Sequence, residues 1–349
     1  MKKLLISMAA SAAVLFGGLA QAAELRADHP DTYVVKKGDT LWDISGRFLT
    51  DPWKWPEIWH VNPEIANPHL IFPGDILRLV YIDGKPYLVK SDRLPDGTIK
   101  LRPQARVLSE GDAISTIPLD LIRPYLINEM VVDASIFDSA PYVVAMAEDH
   151  TVVGGYDDRL YIRGLGGERG GSYGLYRKGK EYRDPQTQEL LGTEARFLAS
   201  GIITRPGDPA TLDIKKSRLE VLEGDVALAR NETPLPPVFA PRAPTVDINA
   251  NIISVYDGVT QIGQYNVVTL DKGRRDGLED GHVLTIYQRG KMVKDGVASK
   301  REGEDIYITL PEERAGSLMI FRTYEKVSLA LIMDAQRPMH LLDVAKNPY

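Results

Sequence analysis

Tyr33-Val34-Val35-Lys36-Lys37-Gly38-Asp39-Thr40-Leu41-Trp42-Asp43-Ile44 runs from a short strand through a Gly-Asp turn into a helix. Thr40 is placed to cap that helix, with Asp43 three residues on as an acidic form of the capping box. Leu41, Ile44 and Phe48 recur at spacings of three and four and give the helix one apolar face. Asp51-Pro52 opens the next segment, and a second helix is expected from Pro56, since proline suits a first turn and breaks an interior. Ile58 and Trp59 face inward from it, Trp55 packs just ahead of its start, and Asn62-Pro63 ends it. Ile71-Phe72-Pro73-Gly74-Asp75 then forms a turn with Pro and Gly where type II geometry wants them. Leu77 and Leu79 alternate with Arg78 in a closing strand. The order is β-α-α-β over residues 33–81, small but with an aromatic core.

Val35-x-x-Gly38-Asp39-Thr40-Leu41-Trp42-x-Ile44, Trp55-x-x-Ile58-x-x-x-Asn62-Pro63 and Ile71-x-Pro73-Gly74-Asp75-x-Leu77 together resemble the LysM family from end to end. The resemblance implies binding of the N-acetylglucosamine-containing glycan of peptidoglycan or chitin. It places the sugar in a shallow groove between two loops. Here these are Gly38, Asp39, Thr40 and Leu41 on one side, and Leu70, Ile71, Phe72, Pro73 and Gly74 on the other. Backbone N–H and C=O groups of such loops can pair with acetamido groups while apolar side chains cover the sugar faces. Glycine at 38 lets the backbone approach closely. The same residues also have local duties. Gly38, Asp39 and Thr40 are wanted by the turn and cap, Pro73 and Gly74 by their own turn. Leu41, Ile44, Trp55, Ile58 and Trp59 are wanted by the core. Trp42 and Trp53 fall off the inner faces, where they either stack on sugar or seal the rim. Residues 64–70 lengthen the approach to the second loop beyond the most compact form of the pattern.

Outward from this unit, residues 1–22 read as a secretory signal peptide. Lys2 and Lys3 precede an apolar run over 4–19, and Ala20-Gln21-Ala22 fits signal-peptidase cleavage. The run is too short and too mixed for a transmembrane anchor, so the mature chain is expected without a transmembrane segment, after a short polar leader over 23–31. The chain has 349 residues and no cysteine. Disulfides, thiolate nucleophiles and thiolate metal sites are therefore excluded, as is a lipid-modified N-terminal cysteine. Export without cysteine suits the periplasm of a Gram-negative bacterium. Net charge is −6, or −8 once Lys2 and Lys3 are removed, and the basic residues are scattered. Nucleic-acid binding is not expected from such a surface.

The fold class expected is α+β: the βααβ module followed by β-rich modules, sandwich-like or barrel-like. A middle domain spans 85–230. In it Pro95-Asp96-Gly97 reads as a hairpin turn between Tyr87-Leu88-Val89-Lys90 and Thr98-Ile99-Lys100-Leu101, and residues 118–130 hold its one plausible helix. Residues 231–245 read as a proline-rich linker, and 246–349 as a second β-rich domain in which Asp276-Gly277 and Asp280-Gly281 mark tight turns. The two β regions look alike in places. Gly174-Leu175-Tyr176-Arg177-Lys178-Gly179-Lys180 resembles Thr285-Ile286-Tyr287-Gln288-Arg289-Gly290-Lys291. Residues 191–197 likewise resemble 315–321, and 201–203 resemble 327–332. Either the module is duplicated or Tyr-x-x-Gly turns recur as they do in β proteins generally.

No enzyme signature is present. The six histidines form neither H-x-H nor H-E-x-x-H, and no serine has a lysine three places on. The glycine-rich run over 164–171 lacks the Lys-Ser/Thr of a phosphate loop and reads as a β-β loop. A carboxylate pair for glycoside hydrolysis stays open among 48 acidic residues. No cofactor is implied. The whole layout is similar to the family of type IV pilus secretin-associated proteins, which join a LysM module to a region like that of a flagellar basal-body ring protein. That resemblance implies a non-catalytic protein that grips peptidoglycan and holds an outer-membrane secretin ring. The alternatives are a peptidoglycan hydrolase or hydrolase activator, and a wall-binding scaffold of another envelope machine such as the flagellar ring.

Overall fold

The computed structural model describes residues 23–59, 71–91, 114–127, 130–147, 157–229, 239–256 and 262–348. The expected signal peptide, residues 60–70 and the hairpin around Pro95-Asp96-Gly97 lie outside them. The described chain is mainly β.

The first unit holds β1 (Thr32–Val34), α1 (Leu41–Phe48) and α2 (Trp55–Ile58), then β2 (Ile76–Ile82) and β3 (Lys85–Ser91). Thr40 caps α1 as expected. Its Oγ1 accepts from the Asp43 N–H at 3.1 Å, and Asp43 Oδ2 accepts from the Thr40 N–H at 3.2 Å. Pro56 sits in the first turn of α2, behind a single 3-10 turn over Pro52–Lys54. Leu41, Ile44, Phe48, Trp55, Ile58 and Trp59 form one buried core with Leu77 and Leu79.

The sheet of this unit continues past residue 81. The sheet is three-stranded in the order β1-β2-β3, and β2 and β3 are joined by the two-residue hairpin turn Asp83-Gly84. Both turn residues have positive φ, 49° and 77°, the type I′ geometry that Asp-Gly favours. Tyr87–Lys90 is strand, as read, but its described partner is β2. The leader is not free either: Arg26 N–H donates to Phe48 C=O at 2.8 Å, and Leu25 bridges to Leu49.

α3 (Leu119–Ile127) follows, beginning where Pro118 suits a first turn. Next come β4 (Met130–Val132), α4 (Ser135–Ser139), β5 (Tyr142–Met146), β6 (Arg159–Arg163), β7 (Ser172–Arg183), β8 (Leu190–Arg205), β9 (Ala210–Ser217) and β10 (Val226–Ala229). The helix α4 was not anticipated. These strands form one sheet in the order β4-β8-β7-β10-β5-β6-β9, and β8 also pairs with β9. All but β4 therefore run round in a closed circuit, filled by Leu160, Ile162, Leu175, Leu198, Leu212 and Ile214 among others. The glycine-rich run is, as read, a loop joining β6 to β7.

The last unit comprises β11 (Asn249–Val255), β12 (Val267–Leu270), β13 (Val283–Gln288), β14 (Met292–Lys294), α5 (Gly296–Glu302), β15 (Tyr307–Thr309), β16 (Glu313–Thr323), β17 (Ser328–Ala335) and β18 (Val344–Lys346). It is a closed barrel, β11-β12-β17-β16-β13-β18, with β14 and β15 paired apart from it. If β5 to β10 are set against β11, β12, β13, β16, β17 and β18 in turn, the two circuits have the same strand neighbours throughout. The resemblance between 174–180 and 285–291 matches β7 with β13, and that between 191–197 and 315–321 matches β8 with β16. The third pairing does not hold, since Gly201 to Ile203 still belong to β8 while Ser328 begins β17.

One turn recurs before strands in every unit. A residue with positive φ precedes a polar residue, whose side chain accepts from the N–H three places back while its own N–H donates to that residue's C=O. Phe72/Asp75, Leu222/Asp225, Gly263/Asn266, Glu279/His282 and His340/Asp343 all do this. The positive φ falls on Gly74, Gly224, Tyr265, Gly281 and Leu342 respectively. Lys36/Asp39, with Gly38, repeats it ahead of the Thr40 cap.

The units are docked. Strands of the last barrel are apolar on both faces: Leu318, Ile320, Ala330 and Ile332 fill it, while Met319, Phe321, Leu329, Leu331 and Met333 face outward. That outer face is covered by Trp42 and the partly buried Trp53 of the first unit, by Ile117 and Ile122, and by Phe239. Of the expected linker over 231–245, only residues 239–245 are described, and these are held against the barrel. Phe239 is 3% exposed, and Arg242 bridges to His282 on the barrel, because the segment carries an aromatic side chain that burial favours. The helix α3 likewise belongs to this interface, with Tyr125 edge-on to Tyr256 at 4.8 Å.

Candidate functional site

The two loops singled out in the sequence sit side by side. Val35 N–H donates to Asp75 C=O at 2.8 Å and Gly74 N–H to Val35 C=O at 2.7 Å, which ties the loops together at their base. In the first, Gly38 has φ 95°, and Asp39 Oδ2 accepts from Lys36 N–H and from the Tyr33 hydroxyl, both at 2.8 Å. Partial burial, with Asp39 alongside, raises the Tyr33 hydroxyl pKa above its ordinary value. In the second loop Gly74 has φ 93°. The buried Asp75 accepts from Phe72 N–H at 3.1 Å and pairs with Lys90 at 2.8 Å. Lys90 was not read from the sequence as part of this turn; it reaches it because β3 joins the sheet.

Not all nominated residues face the groove. Leu41 and Ile71 are fully buried and belong to the core; Phe72 is also buried. Thr40 is occupied with its cap. Leu70 lies outside the described residues. What remains open at the first loop is Lys36, Lys37 and Gly38, two flexible cationic side chains and a bare stretch of backbone, and Pro73 and Gly74 are half-buried. Trp42 takes the second of its two readings: at 4% exposure it is sealed away, wedged against the last barrel. Trp53 is drawn into the same cluster, with Lys54 Nζ 5.4 Å from its ring centre.

A further segment meets both loops. Leu41 and Trp42 are the first two residues of α1, whose N–H groups have no partner within a helix. Leu41 N–H donates to Ser115 C=O at 2.9 Å and Trp42 N–H to Thr116 C=O at 3.2 Å. On the other side, Ile114 N–H donates to Ile71 C=O at 2.9 Å.

Residues 33–80 match the LysM domain. The match covers the three-motif pattern and both loops, and the binding of peptidoglycan or a related glycan is what this domain points to. A Bacillus subtilis (strain 168) protein described as the uncharacterized protein YqbP is 48% identical over 60 residues, 14% of this chain and 27% of that one. The chain thus spans about a quarter of the length of the curated relative it matches, and the similarity is confined to a LysM-sized stretch. LysM is a binding domain. Among the described residues no group of three or more His, Cys, Asp or Glu is placed to hold a metal ion, and no helix is long and apolar enough to cross a membrane.

Proposed function

We propose that this is a non-catalytic peptidoglycan-binding protein of the Gram-negative periplasm, exported by its N-terminal signal peptide, that anchors an outer-membrane assembly to the cell wall. The assembly is the secretin ring of a type IV pilus. The observation that carries the wall-binding part is the LysM domain, with its two loops fastened base to base by Val35, Gly74 and Asp75. The anchoring part is supported by the layout: a LysM domain packed on one of two barrels of like topology, which leaves barrel surface to hold a partner. A shallow glycan site is weak alone. Copies set around a ring bind multivalently and resist pulling through high effective concentration.

The test is sedimentation of the mature chain with purified peptidoglycan sacculi, alone and with excess soluble N-acetylglucosamine oligomers. Sedimentation competed away by the oligomers is the expected result; sedimentation indifferent to them overturns the glycan reading. For the anchor, cross-linking in intact cells followed by capture of the chain is expected to bring down the secretin. Capture of hydrolases with no secretin overturns it.

A further inference from the structure

We infer that the glycan groove of the LysM domain is closed by the chain's own segment 114–117, and that sugar binds by displacing it. The inference rests on the glycan reading given above. Three backbone hydrogen bonds carry it. The N–H groups of Leu41 and Trp42 donate to the carbonyls of Ser115 and Thr116, at 2.9 and 3.2 Å, and the Ile71 carbonyl accepts from Ile114 at 2.9 Å. One loop thus offers donors and the other an acceptor, and the segment spans both. An N-acetyl group presents a secondary amide, with one N–H and one C=O. The segment presents the same chemistry through its own peptide groups, and so stands in for the ligand. A backbone group already paired within the protein gains little from a second partner. Sugar and segment therefore compete.

The segment is also held from behind. Ile114 is buried in the LysM core and Ile117 in the cluster beneath Trp42. Thr116 Oγ1 accepts from the Phe239 N–H at 3.4 Å. Because Ile117, Phe239 and the outer face of the last barrel share that cluster, whatever lifts the LysM domain from the barrel also loosens the segment. A partner seated on the barrel, or tension along the chain, would thereby open the groove. A site only fractionally open binds with an affinity reduced by that fraction.

The test uses the full mature chain and chitopentaose as probe. Hydrogen exchange is read at the amide of Ile114 with and without sugar, and sugar affinity is compared between the native chain and Ile117→Asp. The expected result is protection at Ile114 that falls at least tenfold on saturation with sugar, and affinity at least tenfold tighter in the variant. Sugar that binds while Ile114 stays protected overturns the closed groove and leaves the glycan reading standing. No sugar binding by either chain overturns both. If Ile117→Asp loses its folded circular dichroism, the exchange measurement on the native chain decides alone.

Discussion

Glu189, the residue just before β8, faces Arg275 of the last barrel through a two-pronged ion pair, with Oε1 2.8 Å from Nη1 and Oε2 3.0 Å from Nη2. Lys326 adds a third contact at 2.7 Å. The pair bolts one barrel to the other. The Arg275 guanidinium, with Lys326 behind it, holds the Glu189 carboxyl down at about 2. A carboxyl depressed in this way favours the docked state above its free value of about 4.3, and that preference is lost as pH falls towards 2. Carbon-detected NMR titration should find Glu189 ionising near 2 in the native chain and closer to the free value in Arg275→Ala. An unchanged midpoint in the variant would show that Arg275 is not the cause.

His282 behaves in the opposite sense. Its Nδ1 accepts from the Glu279 N–H at 3.1 Å, which only the neutral ring can do. Burial, and then Arg242 nearby, lower its pKa. A lowered histidine favours the folded state above its free value of about 6.5, and that contribution declines as pH falls below it. Stability to urea should therefore drop between pH 7 and pH 5. His282→Asn, which keeps an acceptor as Asn266 does in the same turn, should flatten that slope. A slope as steep in the variant as in the native chain would refute the assignment.

Trp42 joins the LysM domain to the barrel. Trp42→Ala should cost about 3–5 kcal/mol of docking while leaving both cores whole. Calorimetry is expected to show the LysM domain melting as a separate, earlier transition, with faster exchange at the N-terminus of α1. A single transition at the native temperature would mean the interface is not where the coupling lies.

Asp75 performs two tasks that can be separated. Asp75→Asn keeps the acceptor for Phe72 N–H and loses the charge opposite Lys90; Asp75→Ala loses both. The alanine variant should be destabilised by about 2–4 kcal/mol in denaturant unfolding, and the asparagine variant by clearly less. Equal losses would place the whole effect in the ion pair.

Much of the LysM domain was legible because its signals are local. Thr40 with Asp43, Pro56 in a first turn and Pro73-Gly74 each act on neighbours a few residues away. The β-rich character of the rest, and two of the three internal matches, could also be read, since alternation and turn residues are local too. The hairpin at Asp83-Gly84 carries its own local signal, an Asp-Gly pair between two strand-like runs. What sequence could not show was docking. Trp42 lies off the inner face of α1, and its partner was undefined until Met319, Phe321, Leu329 and Leu331 were seen on the outside of a barrel. A clue was present, since Leu318 to Phe321 and Leu329 to Met333 are apolar at successive positions, the mark of a strand covered on both sides. The segment over 114–117 left no mark at all, because it engages the loops through peptide groups that every residue possesses.

The turn shared by Asp75, Asp225, Asn266, His282 and Asp343 bears on how such a chain finds its fold. Each barrel closes through contacts between strands far apart in sequence, the slow part of folding, and a slip of one residue would turn a strand inside out. Each of these clasps spans only four residues, closes by itself, and commits the strand that follows to one phase. The long search then matches strands whose starting points are already set, and the choices left to it are which neighbours to take, not where along them to begin.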